Sequence, residues 1–521
     1  MKIPQPTTEQ AYGLRQQIGL VLGLLLFVVI LLSATPNGMP LVAQRTAAVA
    51  TLMAIWWITE AAPIPVTALL PLALYPALGI MTSSQVGPHY GNHIIFLFIG
   101  GFVIATAMAK WNLHRRVALG TIKVFGAQPH RLVLGFMCAT AFLSMWISNT
   151  ATTMMMMPIA LAVVNQLATS AQIEGVSKEE TPSQVSHTFG LILLLAIAYS
   201  ASVGGVGTLI GSPTTVAFIG FAQEQFPNEP PIAFADWSML CIPIVVIFLP
   251  IMWLYLCRFG AEIPLSRIRF DAGQDVIADE LKRLGPMRQP EKVVLGVALL
   301  TSLLWVFRNP LRLGETVVPG WSSAFSTPGS LHDSTVAIAM AILLCLLPAR
   351  DDSVHDSPRL QFIVDWPTIQ KGVPWGIVIL LGGGFALASG IQDSGLATWL
   401  GSQLSIIGGL PVWVLVPATC LLTVLLTEAT SNVATILMIS PVLAATATEI
   451  GVHPYLLLIP AAVIASFAFM LPVATPPNAI DFSSGWITIP HMFRAGLVLD
   501  LIALLIVPLM IYFIGSWMFP F

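Results

Sequence analysis

The chain has 521 residues, 56% of them hydrophobic and only 9% charged, with a formal net charge of −3. An ordinary soluble domain carries about 25% charged residues, so a water-soluble globular fold is excluded. The small net charge, and the lack of any basic cluster interleaved with aromatic residues, also exclude a nucleic-acid-binding protein.

In chain order, the polar stretch Met1–Gln17 leads into the apolar block Ile18–Leu32 without a small-residue cleavage site. This predicts a first spanning helix rather than a signal peptide, with the N-terminus in the cytoplasm. The later blocks Phe189–Ile197, Cys241–Cys257 and Ala495–Met518 are also predicted to be spanning helices, several of the blocks nearing the roughly 20 residues that cross a hydrocarbon core. Lys and Arg gather in connecting stretches, most densely Lys110–Lys123, Arg258–Lys292 and Arg308–Arg312, because a bilayer penalises buried charge. The middle stretch mixes Asp271, Asp275, Asp279 and Glu280 with Lys282 and Arg283, and is predicted as a solvated or interfacial helix joining two membrane halves. Cys138, Cys241, Cys257, Cys345 and Cys420 have no CxxC or metal-ligand spacing and read as buried thiols. The nine histidines are isolated, with no HExxH. No cofactor is expected.

An internal repeat organises the chain. Leu143–Thr152 aligns with Leu426–Thr435, and Pro158 with Pro441, at one constant offset and without a gap. The same offset sets Ile99–Gly100–Gly101–Phe102 over Gly382–Gly383–Gly384–Phe385, Thr106 over Ser389 and Leu113 over Leu396. Further on, at a somewhat shorter offset, Gly211–Ser212–Pro213–Thr214–Thr215 pairs with Ala474–Thr475–Pro476–Pro477–Asn478. Each half therefore carries a Gly-rich apolar segment, a Ser-Asn motif and a small-residue-plus-proline motif, a duplication typical of secondary transporters.

Polar residues at membrane depth persist only inside protein or along a cavity, so each Ser-Asn motif predicts a broken helix or hairpin tip. Such a break presents carbonyl, hydroxyl and amide oxygens suited to Na⁺, and helix N-termini suited to a carboxylate. A single cluster of this kind reads as glue between helices. Two copies in register read as a site. The run Met154–Met157 reads as filler or lipid-facing surface. No Lys or Arg occurs over Leu132–Ser177, Glu179–Cys257 or Gly372–Phe493, stretches that hold all four polar motifs. A multivalent anion bound there needs a mobile cation, and the two motifs offer room for at least two sodium ions. Glu428, the one acid within a motif, could serve as cation ligand or proton acceptor. It reads better as a structural group bonding the hairpin backbone, since a free carboxylate would repel the anion.

At these residues the chain closely resembles the divalent anion/sodium symporter family, sodium-dependent dicarboxylate transporter type. The motifs are Trp56–Trp57–Ile58–Thr59–Glu60 with Pro63 and Thr67, Ser148–Asn149–Thr150, Thr427–Asn432, and Leu471–Asn478. The resemblance implies an all-α polytopic membrane protein, a homodimer of about eleven spanning helices and two re-entrant hairpins per subunit. It further implies two inverted repeats and an elevator movement of a transport domain against a scaffold, within the cell (inner) membrane. Residues 1–90 would supply scaffold helices and 91–225 the first transport part. Residues 226–365 would give the connecting helix and second scaffold set, 366–482 the second transport part, and 483–521 the last spanning helix.

By the same resemblance one sodium would be held by Ser144, Ser148, Asn149 and Gly211, and a second by Thr427, Thr430, Asn432 and Ala474. Substrate would meet Asn149, Thr150, Asn432 and Val433 together with the Ser212–Pro213 and Thr475–Pro476 turns. Val433 stands where many relatives offer a hydroxyl, and Thr215 where many have Asn. The leading expectation is sodium-coupled import of a C4-dicarboxylate such as succinate, malate or fumarate. Its rivals are sodium-independent exchange, for which no protein cation stands in the ion sites, and carriage of citrate or sulfate. An intramembrane enzyme would need a nucleophile–base pair or metal ligands, and neither is visible.

Overall fold

Backbone polar groups in hydrocarbon must be satisfied within the segment itself, which favours helix throughout. The computed structural model describes residues 12–126, 128–169, 182–260, 265, 273–313, 316–349, 361–404 and 411–519. The helices of the first half are α1 (Leu14–Leu32), α2 (Leu41–Thr59), α3 (Ile64–Thr67), α4 (Leu70–Leu78), α5 (Ser83–Val86), α6 (His93–Lys110) and α7 (Leu113–Phe125). They continue with α8 (Pro129–Ser144), α9 (Asn149–Thr169), α10 (Pro182–Gly205), α11 (Pro213–Gln225) and α12 (Phe234–Phe259). After α13 (Gly273–Leu284) come α14 (Gln289–Val306), α15 (Asp333–Leu346), α16 (Trp366–Gly372), α17 (Trp375–Asp393) and α18 (Leu396–Leu404). The last are α19 (Val412–Ala429), α20 (Asn432–Ile450), α21 (Tyr455–Ile464), α22 (Pro476–Ser483) and α23 (Ile489–Met518).

Among the described residues ten helices are long and apolar enough to cross a membrane, against the eleven expected. The shortfall has a physical cause: Asp333–Leu346 and Tyr455–Ile464 are apolar but short, the latter because the helix breaks at Ala465. All four long apolar blocks of the sequence fall within the ten. Ser186–Gly205 is entirely buried, whereas only 11% of Leu14–Leu32 is, so α10 is the central helix and α1 lies at the rim. The fold is not purely helical. Leu311–Leu313 pairs antiparallel with Thr316–Val318, and Pro348–Ala349 with Gln361–Phe362, both in connecting segments.

The central predicted interfacial helix is α13, which packs on α7 and α9. Arg115 of α7 pairs with Glu280, and Arg116 with Glu291 at the start of α14 at 2.7 Å. Residues 1–11 of the polar start, and Asp271, lie outside the described residues. All five cysteines are free; Cys241 and Cys420 are buried, while Cys138, Cys257 and Cys345 are only half-buried, less enclosed than the sequence suggested.

The repeat seen in the sequence reappears as structure. Asn149 and Asn432 each open a helix, α9 and α20, with the aligned prolines Pro158 and Pro441 inside them. The short helix of each half is seated in the other half: α11 packs on α17, α20 and α21, and α22 on α9 and α10.

Candidate functional site

Each half builds its polar centre from a hairpin and a broken helix. In the first, α8 ends at Ser144 and α9 begins at Asn149, beside the break between Gly205 and Pro213. In the second, α19 ends at Ala429 and α20 begins at Asn432, beside the break between Ile464 and Pro476. Helix ends leave backbone groups unsatisfied, amides at the N-terminus and carbonyls at the C-terminus. The breaks therefore bring both kinds of orphan to membrane depth.

The hydrogen bonds of the two centres match. Ser144 Oγ lies 2.5 Å from the Asn149 carboxamide oxygen and 2.7 Å from the carbonyl oxygen of Ala201, in the last turn of α10. Thr427 Oγ1 lies 2.7 Å from Asn432 Oδ1 and 2.7 Å from the carbonyl oxygen of Ala465, where α21 stops. A hydroxyl has one proton and cannot donate to two acceptors at once. In the first centre, turning the amide over brings Asn149 Nδ2 and its two protons within reach of Ser144 Oγ, of Ala201 O at 3.1 Å and of Gly211 O at 3.3 Å. Oriented the other way, four oxygens converge with one proton among them. That surplus of oxygen is what a cation relieves, and helix C-terminal carbonyls add partial negative charge.

Of the expected residues, the structure gathers Ser144, Asn149 and Gly211 in the first centre and Thr427 and Asn432 in the second. It does not bring the others to them by hydrogen bonds. Ser148 Oγ accepts from Ala151 N at 3.3 Å, at the start of α9. Thr430 Oγ1 is taken up by Leu426 O at 2.9 Å and Thr435 Oγ1 at 2.6 Å. Thr150 is half-buried in the first turn of α9, Val433 is buried, and Ala474 is tied through its own N–H to Leu471 O at 3.2 Å. The carbonyls of Ala201 and Ala465 were not legible, since a backbone oxygen leaves no mark on residue type.

Ser212 and Thr475 cap the two short helices from matching positions. Ser212 Oγ accepts from Thr214 N at 3.3 Å and Thr475 Oγ1 from Asn478 N at 3.3 Å, with Pro213 and Pro476 as the first helical residues. Side chains at such caps satisfy orphan amides, and Pro has no amide to leave unpaired. Ser212 Oγ also lies 3.4 Å from Ser466 Oγ, so the two breaks touch. Asn478 is occupied structurally: Nδ2 donates to Ala468 O and Leu471 O, both at 3.0 Å. Thr215, its counterpart, has a buried hydroxyl with no such bond.

Two glycines are required by close approach. A Cβ on Gly205 would sit 2.3 Å from Asn149 Oδ1, and one on Gly211 would sit 2.5 Å from Gly205 O and 2.7 Å from Ser144 O. Glu428 has the structural role expected, with a different partner. Its oxygens accept from Met470 N at 2.9 Å and Leu471 N at 3.0 Å, so it holds the α21–α22 break rather than its own hairpin. Asp481 and Asp500 are fully buried acids that lie outside the repeated polar motifs.

Among the described residues, ten apolar helices around paired, oxygen-lined centres at helix breaks define an integral membrane protein of transporter architecture. The model described as the sodium:sulfate symporter transmembrane region matches residues 14–520, and the chain belongs to that family, the divalent anion/sodium symporters. It is similar to the sodium-dependent dicarboxylate transporter SdcS of Staphylococcus saprophyticus, 42% identical over 506 residues that cover 97% of this chain and 92% of that protein. The same-named protein of Staphylococcus aureus is 43% identical over the same shares. Among solved structures, the YdaH transporter of Alcanivorax borkumensis aligns with a TM-score of 0.55 at 14% identity, over 90% of this chain and 98% of that one. Neisseria gonorrhoeae MtrF aligns at 0.55 and 11% identity, over 96% and 95%. At such identities these two share the fold alone.

Proposed function

We propose that the protein moves small dicarboxylates of the succinate, malate and fumarate class across the cell membrane together with sodium. The observation that carries this reading is the matched pair of centres, each a hydroxyl, a carboxamide and a backbone carbonyl meeting within hydrogen-bond distance, which hold more oxygens than protons once the carboxamide oxygen faces inward. One sodium is held by Ser144, Ser148, Asn149 and Gly211. A second is held by Thr427, Thr430, Asn432 and Ala474, with Ala201 O and Ala465 O as further oxygens. The substrate's carboxylates meet Asn149, Thr150, Asn432, Val433 and the capped turns Ser212–Pro213 and Thr475–Pro476. The names of the relatives that are 42–43% identical favour dicarboxylate over sulfate or citrate.

No Lys or Arg lies in the stretches that form these centres, so the ions must neutralise the dianion. Two unit charges 4 Å apart attract by about 4 kcal/mol at an effective dielectric constant near 20. That is on the order of a thousandfold in affinity for each sodium. The two halves are inverted repeats of one design. They work as a transport domain moving as an elevator against a scaffold in a homodimer, with the N-terminus cytoplasmic.

The test is equilibrium binding of labelled succinate to the purified protein across a sodium titration, with sulfate and citrate as competitors. Succinate affinity should fall by orders of magnitude in choline. Affinity unchanged from zero to saturating sodium, with robust counterflow in sodium-free buffer, establishes exchange instead. Stronger competition by sulfate or citrate than by malate reassigns the substrate.

A further inference from the structure

At one end of α10, α12 and α23 a cavity of about 450 Å³ opens between the helices. Its walls include His187 and Thr188 from α10, Tyr255 and Phe259 from α12, and His491 and Arg494 from α23. No carboxylate lines it, and Arg494 makes no ion pair among the described residues. The cavity is built rather than accidental. Tyr255 donates to the carbonyl of Arg494 at 3.4 Å, tying α12 to α23, and the His187 ring packs on Trp486 with centroids 5.7 Å apart. His491 Nδ1 meets Thr488 Oγ1 at 3.0 Å, which leaves Nε2 for a ligand. Arg258 lies over the Phe259 ring and adds a cation at the rim.

The surroundings give the chemistry of the ligand. Tyr255, Trp253 and Trp486 mark an aromatic belt of the kind found at the membrane–water boundary. From beside Arg494 an exposed apolar stripe runs along α23 at every fourth residue: Phe493, Leu497, Leu501, Leu505 and Leu509. Residues four apart are neighbours on a helix surface, so the run is a continuous track that winds around α23 as it leads away from the cationic cavity into the hydrocarbon. Cationic pockets between helix ends hold anionic headgroups, and guanidinium binds phosphate through paired hydrogen bonds.

We propose that this cavity seats the phosphate of an anionic phospholipid, whose acyl chain lies along the α23 stripe. Arg494 grips the phosphate oxygens, His187 and His491 donate to the remainder of the headgroup, and Thr188 offers its hydroxyl. The site is separate from the two oxygen-lined centres and independent of what the protein transports.

The test uses the purified full chain, delipidated in detergent, with three probes: dioctanoyl-phosphatidylglycerol, dioctanoyl-phosphatidylcholine and free glycerol 3-phosphate. The phosphatidylglycerol should raise the unfolding temperature and survive as a bound adduct in native mass spectrometry, while the other two do neither. R494Q should raise its half-saturating concentration at least tenfold, and Arg494→Lys by less. His187→Asn with His491→Asn gives a second variant should R494Q not fold. Equal retention of phosphatidylglycerol by wild type and the folded variants overturns the proposal. Stabilisation by glycerol 3-phosphate equal to that by the lipid also overturns it, in favour of a soluble phosphate.

Discussion

At the scale of single residues, Asn149 and Asn432 each bridge a helix start and a neighbouring hydroxyl. Losing a buried hydrogen bond to a charged ligand costs about 1.5–3 kcal/mol, or roughly tenfold or more in affinity. Asn149→Ala and Asn432→Ala are therefore expected to abolish uptake in proteoliposomes while the protein still elutes as a monodisperse, membrane-extracted species. Wild-type uptake by either variant would remove that residue from the site. Gly205→Ala tests the same centre from the other side. Its Cβ would stand 2.3 Å from Asn149 Oδ1 and 3.0 Å from both Cγ and Nδ2, so the carboxamide must leave its position. Sodium affinity should drop at least as far as in Asn149→Ala, with little change in unfolding temperature; an unchanged sodium titration would show that the carboxamide has room to yield. The side chains of both centres were legible because a hydroxyl and an amide in an apolar run are conspicuous twice over. Ala201 and Ala465 were not, since they contribute only carbonyls, that of Ala465 standing where α21 stops.

Elements are held in place by caps and by ion pairs at the membrane surface. Asp365 caps α16, accepting from Thr368 N at 2.8 Å and Thr368 Oγ1 at 2.5 Å, and meets Lys110 of α6 at 3.2 Å. The Thr368 hydrogen bonds, assisted by Lys110, hold its carboxyl down at about 2. Because the folded value is depressed, the stabilisation is complete above the ordinary carboxylate range and is lost only as pH falls towards about 2. The unfolding temperature should thus be insensitive to this group between pH 7 and 5. Asp365→Ala should cost about 1 kcal/mol at neutral pH, the usual worth of such a cap. Calorimetry of the two proteins at pH 7 and 5 checks both statements, and a difference between them that shrinks already by pH 5 would contradict the assignment. A charged helix between the two halves could be read from the mixed charges of α13. Its docking on α7 through the Arg115–Glu280 pair and the Leu284 carbonyl that accepts from Arg116 could not, because partners 165 and 168 residues apart in sequence leave no local pattern.

For the molecule as a whole, the proposed symport requires substrate and sodium to stabilise one another, because no Lys or Arg occurs in the stretches that form the two centres. Linkage between binding equilibria is reciprocal, so each must raise the other's affinity by the same factor. Saturating succinate should lower the sodium concentration for half-occupancy by the factor that sodium improves succinate binding. Thr427→Val should reduce that shared factor, since a methyl replaces the hydroxyl shared by Asn432 and Ala465, at nearly equal volume. Calorimetric titrations in both orders measure it, and unequal factors would expose a third coupled ion. The duplication was legible at this scale because one offset is held without gaps from Ile99 to Pro158. How the halves interlock was not, for contacts between repeats carry no signature within either one.

That interlock bears on how the protein is made. The helix α22, which fills the space beside α9 and α10, begins only at Pro476, whereas its counterpart α11 begins at Pro213. At roughly 5–20 residues per second, a ribosome needs on the order of tens of seconds to supply the missing piece. Throughout that interval the nascent first half resides in the bilayer with the sides of α9 and α10 that receive α22 uncovered, exposed to proteases and to premature pairing with other chains. Maturation is therefore a post-insertion event gated by the far end of the chain, and messages truncated before Pro476 should yield products destined for degradation.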